Sequence, residues 1–214
     1  MYVTFTKTHE KLFTEFFLPS YQDTFPIEIR PNKNKGGPWH SPEYLGATKE
    51  KLHLILELIK TNPGKVIIVS DVDIMFYRPV EIELNKLISQ KDLLFSAENP
   101  KGRNPNTGFT VLKCNDKNEK FYTDVINSAI AYPTLDDQQL ITKFLQSGTV
   151  EYDVLPRTFW NDSIGGTIPK DAFFHHANYC GPTVEGKVKR LRNVKDIYDF
   201  SVGGSGWSRT NTAV

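Results

Sequence analysis

Asp71 and Asp73 stand two residues apart in the stretch KVIIVSDVDIMFYRP (residues 65–79), directly after the β-branched run Val66 to Val69. In an extended chain residues i and i+2 share a face, so the two carboxylates would project together while Val72 packs behind them. Adjacent carboxylates repel and are costly to hold close unless a cation sits between them. Hard divalent ions such as Mg2+ and Mn2+ take oxygen ligands of this kind, often one or two carboxylates plus substrate phosphates. The run VIIV reads as a buried strand bounded upstream by Pro63-Gly64, which places the aspartates at its carboxyl end. Ligand sites of open α/β sheets gather at that end. The chemistry suggested by the pair is a metal–diphosphate site.

Three further clusters have the right residue types to join it. Asn106-Thr107-Gly108-Phe109 precedes an expected strand and offers an amide, a hydroxyl and a close backbone approach. Asp136-Asp137-Gln138 opens an expected helix, where acids are favoured by the dipole and as caps. Capping accounts for one of those aspartates and leaves Gln138 without a structural reason. In Phe173-Phe174-His175-His176-Ala177-Asn178-Tyr179 a His pair leaves an apolar strand, with room for one packed ring and one functional ring. Imidazole beside two carboxylates biases a site towards Mn2+ over Mg2+.

A D-x-D at a strand end serves two chemistries. In a sugar-nucleotide transferase the pair holds a divalent ion against a diphosphate. In a phosphatase of the haloacid dehalogenase type the first Asp is a nucleophile and the second a general acid, with Asp136-Asp137 as the later acidic pair. That reading leaves NTGF and HHAN without a job, and Ile74-Met75 replaces its usual x-Thr or x-Val. A third reading is a sugar-nucleotide or glycan binder without turnover.

The elements that must position these residues alternate. Strands are expected at 2–6, 27–29, 66–69, 93–97, 109–113, 150–155 and 172–175. A helix capped by Thr8 would carry Leu12, Phe13, Phe16 and Phe17. Leu52, Ile55, Leu56 and Ile59 follow the i, i+3, i+4, i+7 rule of a second helix. Further helices are expected over 118–131, 137–146 and the basic stretch 186–195, the last with Val188 and Leu191 buried. The Gly/Pro/Asn/Lys-rich segment 32–44 reads as loop. Alternation of this kind implies an α/β layered sheet.

With 214 residues, 39% hydrophobic and 24% charged, one domain over 1–200 and a mobile Gly/Ser-rich tail over 201–214 are expected. A formal net charge of +1 gives no reason to expect a nucleic-acid partner. No apolar run has the length of a membrane span. Cys114 and Cys180 have no metal-ligand spacing, and a reduced, cytoplasmic setting is the expectation.

The order SDVDIMF, NTGF, DDQ, HHANY, then a downstream Gly and Lys, resembles the GT-A glycosyltransferases. It is most similar to the small nucleotide-diphospho-sugar transferases related to the glycogenin-like and galactosyltransferase-like retaining enzymes. The resemblance runs from the first strand to about Lys187. It implies a GT-A fold with a Rossmann-like mixed central sheet flanked by helices, and transfer of a sugar from a nucleotide donor, with a UDP-sugar favoured, to a glycan, protein or small-molecule acceptor. Asp71, Asp73 and His176, in preference to His175, match the metal ligands, for Mn2+ or Mg2+. Asn106, Thr107 and Gly108 match the motif lining the sugar pocket, with Asn178 and Gly181 in the later donor-binding motif. Asp137 and Gln138 match the pair beside the reacting sugar, where the carboxylate and the Gln138 amide oxygen would stabilise oxocarbenium character. Lys187 matches a diphosphate-contacting lysine, although its spacing from His176 is longer than in the glycogenin-like enzymes. Lys51 stands where such enzymes place a basic donor contact, and the nucleotide-contacting first strand and loop correspond to Thr4 to His9, including Thr6.

Overall fold

The computed structural model describes residues 1–99, 104–181 and 183–201. The expected tail, apart from Ser201, lies outside the described residues. Among the described residues the strands are β1 (Tyr2–Val3), β2 (Glu28–Ile29), β3 (Val66–Ser70), β4 (Ile74–Phe76), β5 (Leu93–Ala97), β6 (Pro105–Lys113), β7 (Tyr152–Val154), β8 (Phe159–Asn161) and β9 (Phe174–His176). The helices are α1 (Glu10–Leu12), α2 (Leu18–Ser20), α3 (Pro42–Thr61), α4 (Glu81–Ile88), α5 (Asp116–Ser128), α6 (Asp137–Leu145) and α7 (Val184–Ser201).

A six-stranded mixed sheet has the order β2-β1-β3-β6-β5-β7, and a second sheet of three strands has the order β4-β9-β8. β3 is buried on both faces, which is why it reads as a continuous apolar run rather than an alternating one. Ile67 and Val69 join the core shared with α3, α5 and α6, while Ile68 joins the opposite core shared with α4, α7, the N-terminal helical segment and the small sheet. Ser41 caps α3 by accepting from the Tyr44 amide at 3.1 Å, and Pro42 follows in the first turn. Val188 and Leu191 of α7 are buried.

The two sheets meet at the aspartate motif. β3 ends at Ser70 in the large sheet and β4 begins at Ile74 in the small one, so Asp71, Val72 and Asp73 form the junction instead of an extended continuation. Val72 is buried at 2% exposure and anchors the turn.

Several other boundaries differ from expectation. The N-terminal helix is not a single capped helix. A 3-10 turn (Lys7–His9) leads into α1, a π segment (Phe13–Phe17) and α2, so that Phe13, Phe16 and Phe17 are all buried. Thr8 lies inside the first turn, and its hydroxyl pairs with Thr6 and His9. β6 begins at Pro105, four residues before Phe109, and places Asn106, Thr107 and Gly108 inside a strand. A register shift between Phe95 and Ser96 of the paired strand accommodates Asn106 and Gly108, both poor strand formers. β4, β8 and α4 are too short to announce themselves by periodicity.

Candidate active site

The β3–β4 junction and β9 bring Asp71, Asp73 and His176 together, with one ligand atom from each lying within 4.8 Å of the others. Backbone bonds fix the junction: the Asp71 amide donates to the Gly108 carbonyl at 2.7 Å, and the Ala177 amide to the Asp73 carbonyl at 2.8 Å. Gly108 has a steric role. A Cβ there would run into the His176 imidazole and approach Asn106 Oδ1 to 3.0 Å, so only glycine leaves space for the ring. Two carboxylates and an imidazole converging on one point are a fitting donor set for a divalent ion of the Mn2+ or Mg2+ type.

Two lysines flank this group. Lys51, buried on α3, lies 3.2 Å from Asp71 Oδ1 and 2.9 Å from Asp137 Oδ2, and donates to the Thr107 carbonyl at 3.2 Å. Lys187 on α7 lies 2.5 Å from Asp73 Oδ2, while His176 Nε2 is 3.2 Å from Asp73 Oδ1. Burial would push Lys51 down, but the carboxylates of Asp137 and Asp71 outweigh it and hold the ammonium above its ordinary range. Burial would likewise raise Asp73, yet Lys187 and His176 hold it well below the usual carboxylate range. Asp71 is pushed up by burial, and the neighbouring Asp73 adds to this against the pull of Lys51.

The acidic pair at α6 divides its labour. Asp136 is the N-cap, accepting from the Gln139 amide at 2.8 Å while Gln139 Oε1 accepts from the Asp136 amide at 3.1 Å. Asp137 is left free of capping and turns to Lys51. Gln138 Oε1 accepts from Asn106 Nδ2 at 3.1 Å, so the carbonyl half of its amide faces Asn106. Asn106 Nδ2 also donates to Glu98 Oε2 at 2.6 Å, and Asn106 Oδ1 accepts from the Gly108 amide at 3.0 Å. Asn178 approaches the same Glu98 oxygen at 3.5 Å and donates to Ser163 Oγ at 3.2 Å.

His175 points the other way along β9. It is fully buried with Nε2 3.0 Å from Asp162 Oδ1. Arg190 Nε lies 2.9 and 3.1 Å from the two oxygens of Asp162, with Nη2 at 2.6 Å from Oδ1, and the Cys180 thiol donates to Oδ2 at 3.0 Å.

Of the remaining expected residues, Thr6 is buried with its hydroxyl 2.9 Å from His9 Nδ1. Gly181 adopts a left-handed φ of 84° in the loop before α7, where an added Cβ would meet only open space. Sequence reasoning passed over Glu98 and Tyr44, and reached His9 only as the end of the expected nucleotide-contacting loop. Glu98 directly follows β5 with no motif around it. Tyr44 sits in the first turn of α3, its hydroxyl raised by burial and then by Asp137 and Asp136. His9 is lowered by burial and by Lys187. Only a polar residue at a strand's carboxyl end could have flagged Glu98 in advance.

Residues 7–191 match the family described as nucleotide-diphospho-sugar transferase. No curated protein matches the sequence. Among solved structures, the fold is similar to a glycosyltransferase involved in the glycosylation of the major capsid of PBCV-1, with a TM-score of 0.63 and 12% identity over 89% of this chain and 97% of that one. It is also similar to mouse xyloside xylosyltransferase 1, with a TM-score of 0.53 and 12% identity over 85% and 98% of the two chains. The galactosyltransferase LgtC, solved with donor and acceptor sugar analogs, gives a TM-score of 0.52 and 10% identity over 90% and 96%. The mixed sheet flanked by helices is thus the GT-A architecture.

Proposed function

The chain belongs to the nucleotide-diphospho-sugar transferase family, and on that premise we propose that it is a metal-dependent, retaining glycosyltransferase that takes its sugar from a UDP-sugar. Family membership decides between the two chemistries open to a strand-end D-x-D, in favour of glycosyl transfer over phosphate-ester hydrolysis. The observation that carries the finer reading is the convergence of Asp71, Asp73 and His176 within 4.8 Å.

Asp71, Asp73 and His176 would hold Mn2+, or Mg2+ in its place, against the donor diphosphate. The bound ion supplies Lewis-acid neutralisation of the charge that builds on the leaving group. Lys187, at the same Asp73, offers N–H donors to the same diphosphate oxygens. Lys51 holds the Asp71 carboxylate and Asp137 in fixed relation, so that the metal end and the sugar end of the site keep register. Asn106, Gln138 and Asn178 line the sugar side with hydrogen-bonding groups.

Retention is supported by the state of Asp137. A general base for inversion must reach the acceptor hydroxyl with a free oxygen. Asp137 is 3% exposed and engaged by Lys51, so a departing phosphate oxygen is the better proton acceptor. The acceptor is a glycan, a protein or a small molecule.

The test is calorimetric titration with UDP and GDP, with and without Mn2+, on wild type and on an Asp71→Ala, Asp73→Ala double variant. The expected result is metal-dependent UDP binding that the double variant loses. A folded wild type that binds neither nucleotide overturns the proposal. Tight binding without sugar release from any donor would make the chain a binder rather than a transferase.

A further inference from the structure

The amides of Asn106 and Gln138 form a chain whose direction is fixed at both ends. At one end is the Gly108 backbone N–H, which can only donate, and it meets Asn106 Oδ1 at 3.0 Å. Ser96 Oγ donates to the same oxygen at 3.2 Å. At the other end the Asn106 amino group, which can only donate, meets a carboxylate oxygen: Glu98 Oε2 lies 2.6 Å from Nδ2. Asn106 therefore has one possible orientation, and its second N–H reaches Gln138 at 3.1 Å. The Gln138 atom that receives a proton must be the carbonyl oxygen. Its amino group is then the half that faces away from Asn106.

We propose that Glu98 is a positioning residue that sets this polarity, so that Gln138 meets the reacting sugar as an N–H donor to a hydroxyl oxygen and not through its carbonyl. Turning Gln138 over would set its amino group against the Asn106 amino group, two donors face to face. Turning Asn106 as well would set oxygen against the Glu98 carboxylate and amino group against the Gly108 N–H. Both reversals break bonds that the sugar would have to replace. Glu98 has further ties that hold it for this role: its Oε2 is 3.5 Å from Ser163 Oγ and from Asn178 Nδ2, and its backbone amide donates to the Asn104 carbonyl at 2.8 Å.

This inference rests on the transferase reading for the identity of the ligand, but the polarity of the amide chain stands without it. The experiment therefore has two arms. In the first, side-chain amide protons of 15N-labelled protein are followed by NMR in wild type, Glu98→Gln and Glu98→Ala. Glu98→Gln keeps an acceptor oxygen and should hold the Asn106 amino protons at wild-type exchange rates, whereas Glu98→Ala should raise those rates at least tenfold. Unchanged Asn106 signals in Glu98→Ala overturn the positioning role. So does Glu98→Gln behaving like Glu98→Ala.

In the second arm, Mn2+-loaded protein is titrated with UDP, UDP-glucose and UDP-galactose, and donor hydrolysis is followed for the tightest of them. Gln138→Glu, which offers only acceptors, should lose at least tenfold in the preference for UDP-sugar over UDP, as should Gln138→Ala, with affinity for UDP itself unchanged. Glu98→Ala should lower kcat without raising KM by the same factor, and Glu98→Gln should restore it. A Gln138→Glu variant that keeps wild-type sugar preference overturns the donor assignment. If wild type binds no UDP ligand, the transferase reading fails while the NMR arm still decides the role of Glu98.

Discussion

Two ion clusters stand back to back across β9, and they are built differently. His175 and His176 are neighbours on one strand and so face opposite sides. Behind the strand, Asp162 is enclosed by Arg190, Cys180 and His175, with partners on both oxygens. In front, Asp71 and Asp73 are divided among Lys51, Lys187 and His176, and Asp71 and Lys187 keep side-chain exposures of 35% and 23%. Both clusters contain a buried carboxylate and a histidine. The rear one satisfies its acid within the protein and ties α7 to the small sheet. The front one brings three potential ligand atoms within 4.8 Å of one another and stays partly open to solvent through Asp71 and Lys187, the arrangement expected of a site more than of a brace.

The comparison breaks most sharply at Asp73. Asp73→Ala should remove metal-dependent nucleotide binding by about a hundredfold or more, on the order of the loss expected when a metal ligand is removed outright rather than a supporting partner. Calorimetry with UDP and Mn2+ checks it, and a variant that still binds within a few-fold would move the cation elsewhere. Gly108→Ala should be next. The added methyl must displace His176, and Mn2+ affinity should fall by roughly tenfold to a hundredfold, read directly from the paramagnetic signal of free Mn2+.

The rear cluster should report in stability instead. Removing one partner of a buried ion pair costs about 3–5 kcal/mol. Because Arg190 is 38% exposed, Asp162→Ala is expected nearer about 2 kcal/mol, a fall in Tm of roughly 4–8 °C. UDP affinity at a temperature where the variant is folded should change little. Asp162 also carries a pH signature. Burial would raise it, but hydrogen bonds from His175 and Arg190 hold it well below its ordinary value of 3.8. A depressed carboxylate contributes stability that is present above the unfolded value and lost as pH falls through the folded one. The stability gap between wild type and Asp162→Asn should therefore narrow below about pH 4, as urea titrations at stepped pH would show. The smallest effect should be Cys180→Ser, which keeps a donor to Asp162 and should shift stability by less than about 1 kcal/mol.

Much of the front cluster was legible because its residues come in short motifs whose chemistry is visible in line. The carboxyl end of a β-branched run marked Asp71 and Asp73, and the apolar run before His175 and His176 marked a strand with two faces. Asp136 and Asp137 were separable in principle, since one helix has one N-cap, but only the bond from Gln139 shows which of them it is. The rear cluster was illegible. Asp162 and Arg190 are 28 residues apart and signal nothing alone, because their meeting depends on how α7 lies against β8 and β9. Glu98 was hidden for the same reason, being joined to Asn106 and Asn178 only by the fold. The start of β6 was missed because Asn and Gly disguise a strand that the register shift opposite makes room for.

The junction between the sheets has one more consequence. Asp71 hangs from the end of the large sheet and Asp73 from the beginning of the small one, with only Val72 between them. The gap between their carboxylates is thus a gauge of how the two sheets are seated, more than of either side chain's rotamer. The seam under that gauge is apolar: Ile68, Val72, Ile74, Phe109 and Phe174 share one core, and the rings of Phe109 and Phe174 touch across it with centroids 4.8 Å apart. Trimming a ring there, as in Phe174→Leu, would alter the bite of the ligand pair from a distance. Such a variant would first be recognised by a changed order of preference among cations of different radius.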